Sequence, residues 1–237
     1  KTFRFNVTTN GMLLTPEVFQ KLEALHIDVM VSLDGDQEAH DRLRKTKSGK
    51  PSWEHIINNL KQIPNFGKKI AVRITVTSES PDYLKIYKTV ELLSFETIFM
   101  TEVCPGPQQS ERLRENIEIL KKNYLDLMEY LFEKAINQGN IALSKLQRFL
   151  DALYEGHKTY YGCATGLNGY YLAPDGTYFP CNRMITSDLR FKIGDIDRGF
   201  DPSIQQLFIK NHVFNRSCKE CYVADNVMPI VFGLHKI

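Results

Sequence analysis

The chain has 237 residues, 43% of them hydrophobic and 24% charged, and 30 Lys and Arg residues against 28 Asp and Glu leave a formal net charge of +2. This is the composition of a globular protein of one or two domains, which excludes disordered and collagen-like chains. So small a net charge gives no support for a nucleic-acid partner. No apolar run approaches the ~20 residues of a transmembrane helix, so no membrane association is predicted.

The chain begins at Lys1 and enters a strand pattern at Phe3, without the basic and apolar segments of a signal peptide. We therefore expect it to be a piece of a longer protein. Its five cysteines are an odd number, which argues against a secreted disulfide scaffold. The sequence accordingly predicts a reducing, cytoplasmic location.

Strand and helix patterns alternate over the first hundred residues. Amphipathic stretches predict helices at 15–26, 52–63 and 80–94, with Thr15 and Ser52 as N-caps. Short β-branched or aromatic runs predict strands at 3–8, 28–33, 70–77 and 97–103. This alternation predicts an α/β fold with a parallel sheet, and four β/α units are too few to close an eight-stranded barrel.

Small polar residues follow each predicted strand, at 8–11, 32–35, 75–78 and 102–104. The carboxyl ends of parallel strands share one edge of a sheet, where the active sites of this architecture lie. Turn formation alone explains such residues at any single strand end. The pattern therefore favours a site at this edge without identifying it.

Helical periodicity continues from 110 to 154, with a break at Gly139 and Asn140 and an end at Gly156. Its apolar stripe favours core packing over a binding groove, and consists of Leu113, Ile117, Leu120, Tyr124, Leu127, Met128 and Leu131. Farther on, two short runs around the turn at 174–176 predict a β-hairpin. A short strand at 190–196 and a helix at 201–214 follow.

Four of the five cysteines lie in the last third of the chain: Cys163, Cys181, Cys218 and Cys221. The last two form a C-x2-C, a spacing that lets two thiolates reach one metal atom. Four thiolates suit a tetrahedral zinc site or an iron–sulfur cluster. Spacing alone gives zinc a slight advantage.

Two motifs occur in order in the first half of the chain: Thr9-Asn10-Gly11-Met12-Leu13-Leu14 is followed by Ser32-Leu33-Asp34-Gly35 and then by His40, Asp41 and Arg44. Downstream lie a C-x12-G-x4-C from Cys163 to Cys181 and the C-x2-C. This combination resembles radical S-adenosylmethionine (SAM) enzymes with a SPASM extension, a group that includes anaerobic sulfatase maturases and peptide maturases, and the cysteine spacing is similar to the opening of the SPASM pattern.

The resemblance implies a partial (β/α) radical SAM barrel in residues 1–108, a helical connection in 109–156 and a small cysteine-containing α+β SPASM-type domain in 157–237. The family's C-x3-C-x2-C loop and its glycine-rich SAM motif would precede Lys1, so the chain as given is not expected to cleave SAM alone. Val227 and Val231 stand where the SPASM pattern has further cysteines, which makes two complete auxiliary clusters doubtful.

The same resemblance assigns the candidate site residues. Ser32 and Arg44 would bind the SAM carboxylate, with Asn10 and Asp34 beside them at strand ends. A solvated surface would also explain Arg44, which lies in a charged stretch. The resemblance favours 4Fe-4S over zinc for the thiolates of Cys163, Cys181, Cys218 and Cys221, and it assigns no catalytic residue.

The activity implied is hydrogen abstraction from a peptide by a 5′-deoxyadenosyl radical, with a peptide or protein substrate and an electron-donor protein as partners. Sulfatase maturases have an acidic base directly after the cysteine of the G-x4-C step, where this chain has Asn182. An amide cannot accept a proton at ordinary pH. We therefore favour a crosslink-forming peptide maturase, for example one that forms a thioether, over a sulfatase maturase.

Three alternatives stay open. One is the sulfatase maturase itself. A second is a non-enzymatic peptide-binding module stapled by zinc or by a cluster. A third is an unrelated α/β enzyme with structural cysteines.

Overall fold

A computed structural model describes residues 4–77, 82–102, 117–139, 141–156, 169–185 and 191–210. The chain folds into two compact units, Lys1–Leu150 and Asp151–Ile237. The first is an α/β unit built on a parallel sheet, and the second contains a small antiparallel sheet. The three-part division of the chain expected from the resemblance stays a prediction.

The parallel sheet has four strands in the order of the sequence: β1 (Phe5–Thr9), β2 (Ile27–Ser32), β3 (Ile70–Val76) and β4 (Ile98–Glu102). In register, Thr9 lies opposite Val31 and Ser32 opposite Arg73. The connecting helices are α1 (Pro16–Ala24), α2 (Gln37–Leu43), α3 (Trp53–Lys61), α4 (Phe66–Lys69) and α5 (Tyr83–Leu92). Right-handed crossovers between sequential strands place such helices on one face of a sheet.

Burial distinguishes the two faces of this sheet. On β3, Ile70, Val72, Ile74 and Val76 are buried in the main core, whereas Arg73 between them is exposed. The opposite row is therefore less covered than the helix-packed row, since successive strand residues point to alternate faces. Thr8 on β1 and Thr101 on β4 are also exposed.

The four predicted strands and the three predicted helices of this unit are confirmed, with ends that differ by a few residues. Helices α2 and α4 were missed because seven and four residues are too short to show a helical period. Thr15 is confirmed as an N-cap, because its hydroxyl accepts from the Val18 N–H at 3.4 Å. The capping role predicted for Ser52 is wrong: Ser52 occupies the N-cap position of α3, but its side chain makes no capping bond.

Two longer helices, α6 (Ile117–Gln138) and α7 (Ser144–Glu155), follow. Leu127 and Leu131 of α6 are buried in the core, with Leu120, Tyr124 and Met128 packed against it, which confirms the predicted packing stripe there. Ile117 is exposed, contrary to that prediction, and Leu113 lies outside the described residues. Helix α6 packs on α5, where Glu91 accepts hydrogen bonds from Tyr130 and Lys134.

The second unit contains β5 (Tyr171–Leu172), β6 (Thr177–Phe179), β7 (Gly194–Asp195), β8 (Gly199–Phe200) and α8 (Pro202–Ile209). The predicted hairpin is confirmed as β5 and β6, and the predicted strand and helix are confirmed as β7 and α8. Among the described residues, Ala173, Phe179 and Met184 form a small buried cluster against which Cys181 and Phe191 pack, and Ile193 is also buried. None of the helices in the described ranges is long and apolar enough to cross a membrane.

Candidate functional site

Two glycines shape the loops that leave β1 and β2. Gly11 and Gly35 have φ angles of +78° and +91°, in the region that favours glycine. A Cβ added at Gly11 would lie 2.8 Å from Ile56 and 2.9 Å from Val31, and one at Gly35 would lie 3.0 Å from Ile86. The loops therefore turn tightly against the helices that cover the sheet.

The carboxylate of Asp34 is the centre of a network at these strand ends. Asp34 is 5% exposed and lies two residues beyond β2. Its Oδ1 accepts from the Thr75 N–H on β3 at 2.8 Å, and its Oδ2 accepts from Arg44 Nε at 2.5 Å. Arg44 Nη2 lies 3.4 Å from Oδ1, which makes the ion pair two-pronged. A buried carboxylate is thus paired with a cation and with backbone, as its burial requires.

Arg44 is only partly buried, with a side chain that is 35% exposed. Its Nη1 makes no hydrogen bond with the described part of the chain, so one edge of the guanidinium stays available for an anion. Asn10 and Arg44 both line a pocket of about 420 Å³. That volume is in the usual range for small-molecule sites, about 300 to 1,000 Å³. Lys45 and Lys47 also line it, which makes this pocket attractive to a negatively charged group.

Asn10 and Ser32, the other two residues predicted at this site, lie at neighbouring strand ends but differ in burial. Asn10 is exposed just beyond β1, and its Oδ1 accepts from the Met12 N–H at 3.1 Å. Ser32 is buried at the end of β2, does not line the pocket, and its hydroxyl forms no hydrogen bond within the described ranges. The structure therefore brings Asp34 and Arg44 into direct contact, whereas Ser32 takes no part in their hydrogen bonds.

His40, on α2, is fully buried beside this network. Its Nδ1 accepts from the Asp34 N–H at 3.2 Å, and its Nε2 lies 3.0 Å from Ser52 Oγ. Burial lowers the pKa of His40, an effect that Asp34 partly opposes. The imidazole is therefore held in its neutral form.

Asp41 takes the capping role that the sequence predicts for Ser52. The Ser52 hydroxyl donates to the backbone carbonyl of Arg44 at 2.7 Å. Asp41 Oδ1 instead accepts from the N–H groups of Ser52 and Trp53, at 2.8 and 2.9 Å, and so caps α3 from another helix. The sequence identifies His40 and Asp41 only as members of a motif and does not predict these hydrogen bonds.

No protein-family model matches the chain. Among curated proteins, the chain is 23% identical to the cysteine-type anaerobic sulfatase-maturating enzyme of Clostridium perfringens over 235 residues, which cover 91% of this chain and 61% of that enzyme. It is 33% identical to the mycofactocin maturase MftC of Mycolicibacterium smegmatis over 102 residues, 42% of this chain and 25% of that protein. The chain is a homologue of these maturases.

Solved structures show that this homologue shares its fold with such an enzyme. Native anSMEcpe with bound AdoMet matches 95% of this chain and 64% of that chain, with a TM-score of 0.75 and 17% sequence identity. The same protein with bound AdoMet and Kp18Cys peptide gives a TM-score of 0.71, 17% sequence identity and coverage of 94% and 64% of the two chains. The predicted resemblance is thus confirmed, although the chain spans about three fifths of the curated relatives' length, 61% for the first.

Of the four predicted metal ligands in this maturase homologue, only Cys181 lies in the described part of the chain. It is half-buried between β6 and a short 3-10 turn (Asn182–Met184). Its thiol donates to Asn182 Oδ1 at 3.3 Å. No cluster of three potential metal-binding side chains occurs in the described ranges. Cys163, Cys218 and Cys221 lie outside those ranges, so the metal assignment stays a prediction.

Proposed function

We propose that this chain belongs to a radical SAM, SPASM-type peptide maturase, and that its parallel-sheet unit binds the amino-acid end of SAM. In this proposal the unit is part of a partial (β/α) barrel. The observation that carries it is the guanidinium of Arg44, held against the buried carboxylate of Asp34 with one edge open beside a cationic pocket. The homology to maturases and the shared fold support it.

The available side chains fit the polar groups of SAM. The open edge of Arg44 suits a carboxylate, since a planar guanidinium can pair with two oxygens. The Asn10 amide, which lines the same pocket, is a second donor, whereas Ser32 is buried at the neighbouring strand end and does not line that pocket. Asp34 has both carboxylate oxygens engaged by Thr75 and Arg44, so in this proposal it acts through Arg44. When bound and reductively cleaved, SAM would supply the 5′-deoxyadenosyl radical that abstracts hydrogen from the peptide.

The substrate we propose is a ribosomal peptide that receives a thioether or another crosslink. One relative's structure contains a bound peptide, and another relative is a mycofactocin maturase. Asn182 supports crosslink formation over sulfatase maturation, because an amide cannot act as the general base that an acidic residue would supply at this position. A peptide or protein substrate and an electron-donor protein are the partners that this function requires.

Sulfatase maturation is the second candidate. It is favoured by one observation, the alignment with a sulfatase-maturating enzyme over 91% of this chain. Incubation of the complete protein with a sulfatase-derived cysteine peptide tests this candidate. An aldehyde product supports sulfatase maturation, and an unmodified peptide from a preparation that cleaves SAM contradicts it.

SAM binding by the whole chain tests the site, with calorimetry as the measurement. We expect Arg44→Gln to weaken binding about 10- to 100-fold, since a charge-assisted hydrogen bond contributes about 1.5 to 3 kcal/mol. Arg42→Gln is the matched control, because it removes the same charge from an exposed position in the last turn of α2, two residues before Arg44. Equal affinities in the two variants, or no binding by the unmodified chain, would contradict the proposal.

Metal analysis of the anaerobically purified chain tests the second unit. The proposal expects a brown protein with broad absorbance near ~400 nm, and iron and sulfide in equal amounts, as iron–sulfur ligation by cysteine thiolates implies. Cys181→Ser should lower the iron content. A colourless protein that contains zinc would instead support a zinc-stapled module.

A further inference from the structure

We propose that His40 is a positioning residue for the carboxylate site, which ties the end of β2 to the loop after α2 and thereby fixes Arg44. This inference rests on the proposed function for the ligand, but the geometry that carries it is independent of any ligand. His40, Ser52, Arg44 and Asp34 form a closed ring of hydrogen bonds.

Each bond of the ring has a definite donor. The Asp34 N–H donates to His40 Nδ1 at 3.2 Å, so that nitrogen must keep its lone pair. The proton of the neutral ring is therefore on Nε2, which donates to Ser52 Oγ at 3.0 Å. The Ser52 hydroxyl then donates to the Arg44 carbonyl at 2.7 Å. The Arg44 guanidinium closes the ring at the Asp34 carboxylate.

The ring holds Arg44 at two points. Its main chain is fixed through Ser52 and its side chain through Asp34, and both of these partners are tied to His40. Asp34 is further anchored to the sheet by Thr75. A long arginine side chain has many rotamers, and holding it before a ligand arrives lowers the entropy lost on binding.

Two features distinguish this arrangement from ordinary core filling. His40 is fully buried, and a polar group in the interior is costly unless each of its hydrogen bonds is made. The Ser52 hydroxyl stands at an N-cap position but bonds Arg44 instead, with Asp41 capping α3 in its place. The Ser52 hydroxyl therefore bonds Arg44 rather than its own helix, and His40 donates to that hydroxyl.

The charged groups around His40 are those of Asp34, Arg44 and Asp41. A protonated imidazole would lose the lone pair that accepts from the Asp34 N–H and would face the Arg44 guanidinium. The positioning role therefore requires the neutral tautomer, which the long-range proton–nitrogen spectrum of histidine-labelled protein identifies directly. Protonated Nδ1 at neutral pH would overturn the proposal.

Two substitutions separate the links of the ring in the full chain. His40→Leu removes the bonds to the Asp34 N–H and to Ser52 Oγ, and Ser52→Ala removes the bonds to His40 Nε2 and to the Arg44 carbonyl. Ser48→Ala is the matched control, because its exposed hydroxyl contacts only Thr46 in the same loop. We expect hydrogen exchange of the Arg44 Nε–H, followed without ligand, to accelerate about tenfold in the first two variants and to stay unchanged in the control. Unchanged exchange in Ser52→Ala would overturn the proposal even if His40→Leu fails to fold.

SAM affinity then shows whether the ring serves the ligand. Ser52→Ala should weaken binding about tenfold in the unmodified background and have no effect when Arg44 is already glutamine, since coupled residues are non-additive. An equal loss in both backgrounds would mean general destabilisation and would overturn the positioning role. If the unmodified chain binds no SAM, the proposed function fails, and the Nε–H exchange alone decides whether His40 positions Arg44.

Discussion

The two units of this chain hold their candidate functional groups in opposite ways. In the parallel-sheet unit, Asp34, Arg44 and His40 are fixed by one another beside a large buried core. In the antiparallel unit, Cys181 packs against a cluster of Ala173, Phe179 and Met184, and its thiol makes one weak hydrogen bond in the described part of the chain. The first site is organised by hydrogen bonds among its own side chains, whereas the hydrogen bonding described for Cys181 is one contact with its neighbour Asn182.

The largest expected effect tests whether the two units are energetically separate. Leu131→Ala, at a fully buried position of α6, should lower the free energy of unfolding by about 2 to 5 kcal/mol. Phe179→Ala in the other unit should leave this transition unchanged. Urea titration followed by Trp53, the single tryptophan and a residue of the first unit, measures both variants. A comparable shift in both would show one cooperative unit.

A second test concerns how tightly the strand ends are packed. Gly11→Ala combines an unfavourable φ angle with close contacts to Ile56 and Val31, so a loss of about 3 kcal/mol is expected. Gly49→Ala has nearly the same φ angle, +79°, and no atom within 4 Å of the added Cβ, so about 1 to 2 kcal/mol is expected. If the two variants lose the same free energy of unfolding in the urea titration, the close contacts of Gly11 with Ile56 and Val31 do not constrain the loop after β1.

The smallest effect is a pH dependence confined to the first unit. Burial lowers the pKa of His40, so between that value and the ordinary value of about 6.5 the unfolded chain binds a proton that the folded chain does not. Stability is therefore complete above about pH 6.5 and falls below it, by at most about 1.4 kcal/mol per pH unit. Urea titrations at about pH 7.5 and about pH 5.5 should show this loss in the unmodified chain and not in His40→Asn. If His40→Asn loses as much stability between these two pH values as the unmodified chain, other titratable groups cause the pH dependence.

Local signals in the sequence were sufficient for much of the fold. Strands β1 to β4 followed from β-branched runs and helices α1, α3 and α5 from apolar spacing, because burial of one face leaves a period in the sequence. The hairpin of β5 and β6 followed from its turn at 174–176. Helix α2 leaves no such period, although its N-terminus is capped by Asp36 and it supplies His40.

The amino-acid order by itself determined the alternation of strands and helices, the glycines that the strand-end loops require, and the motifs that point to the maturases. Only the tertiary structure decided what each side chain does there. Hydrogen bonds join Ser52 to Arg44, eight residues away in the sequence, Asp41 to Ser52, eleven residues away, and Asp34 to Thr75, forty-one residues away. Hydrogen bonds form between atoms about 3 Å apart in space, and no local propensity records which distant strand or helix supplies the partner.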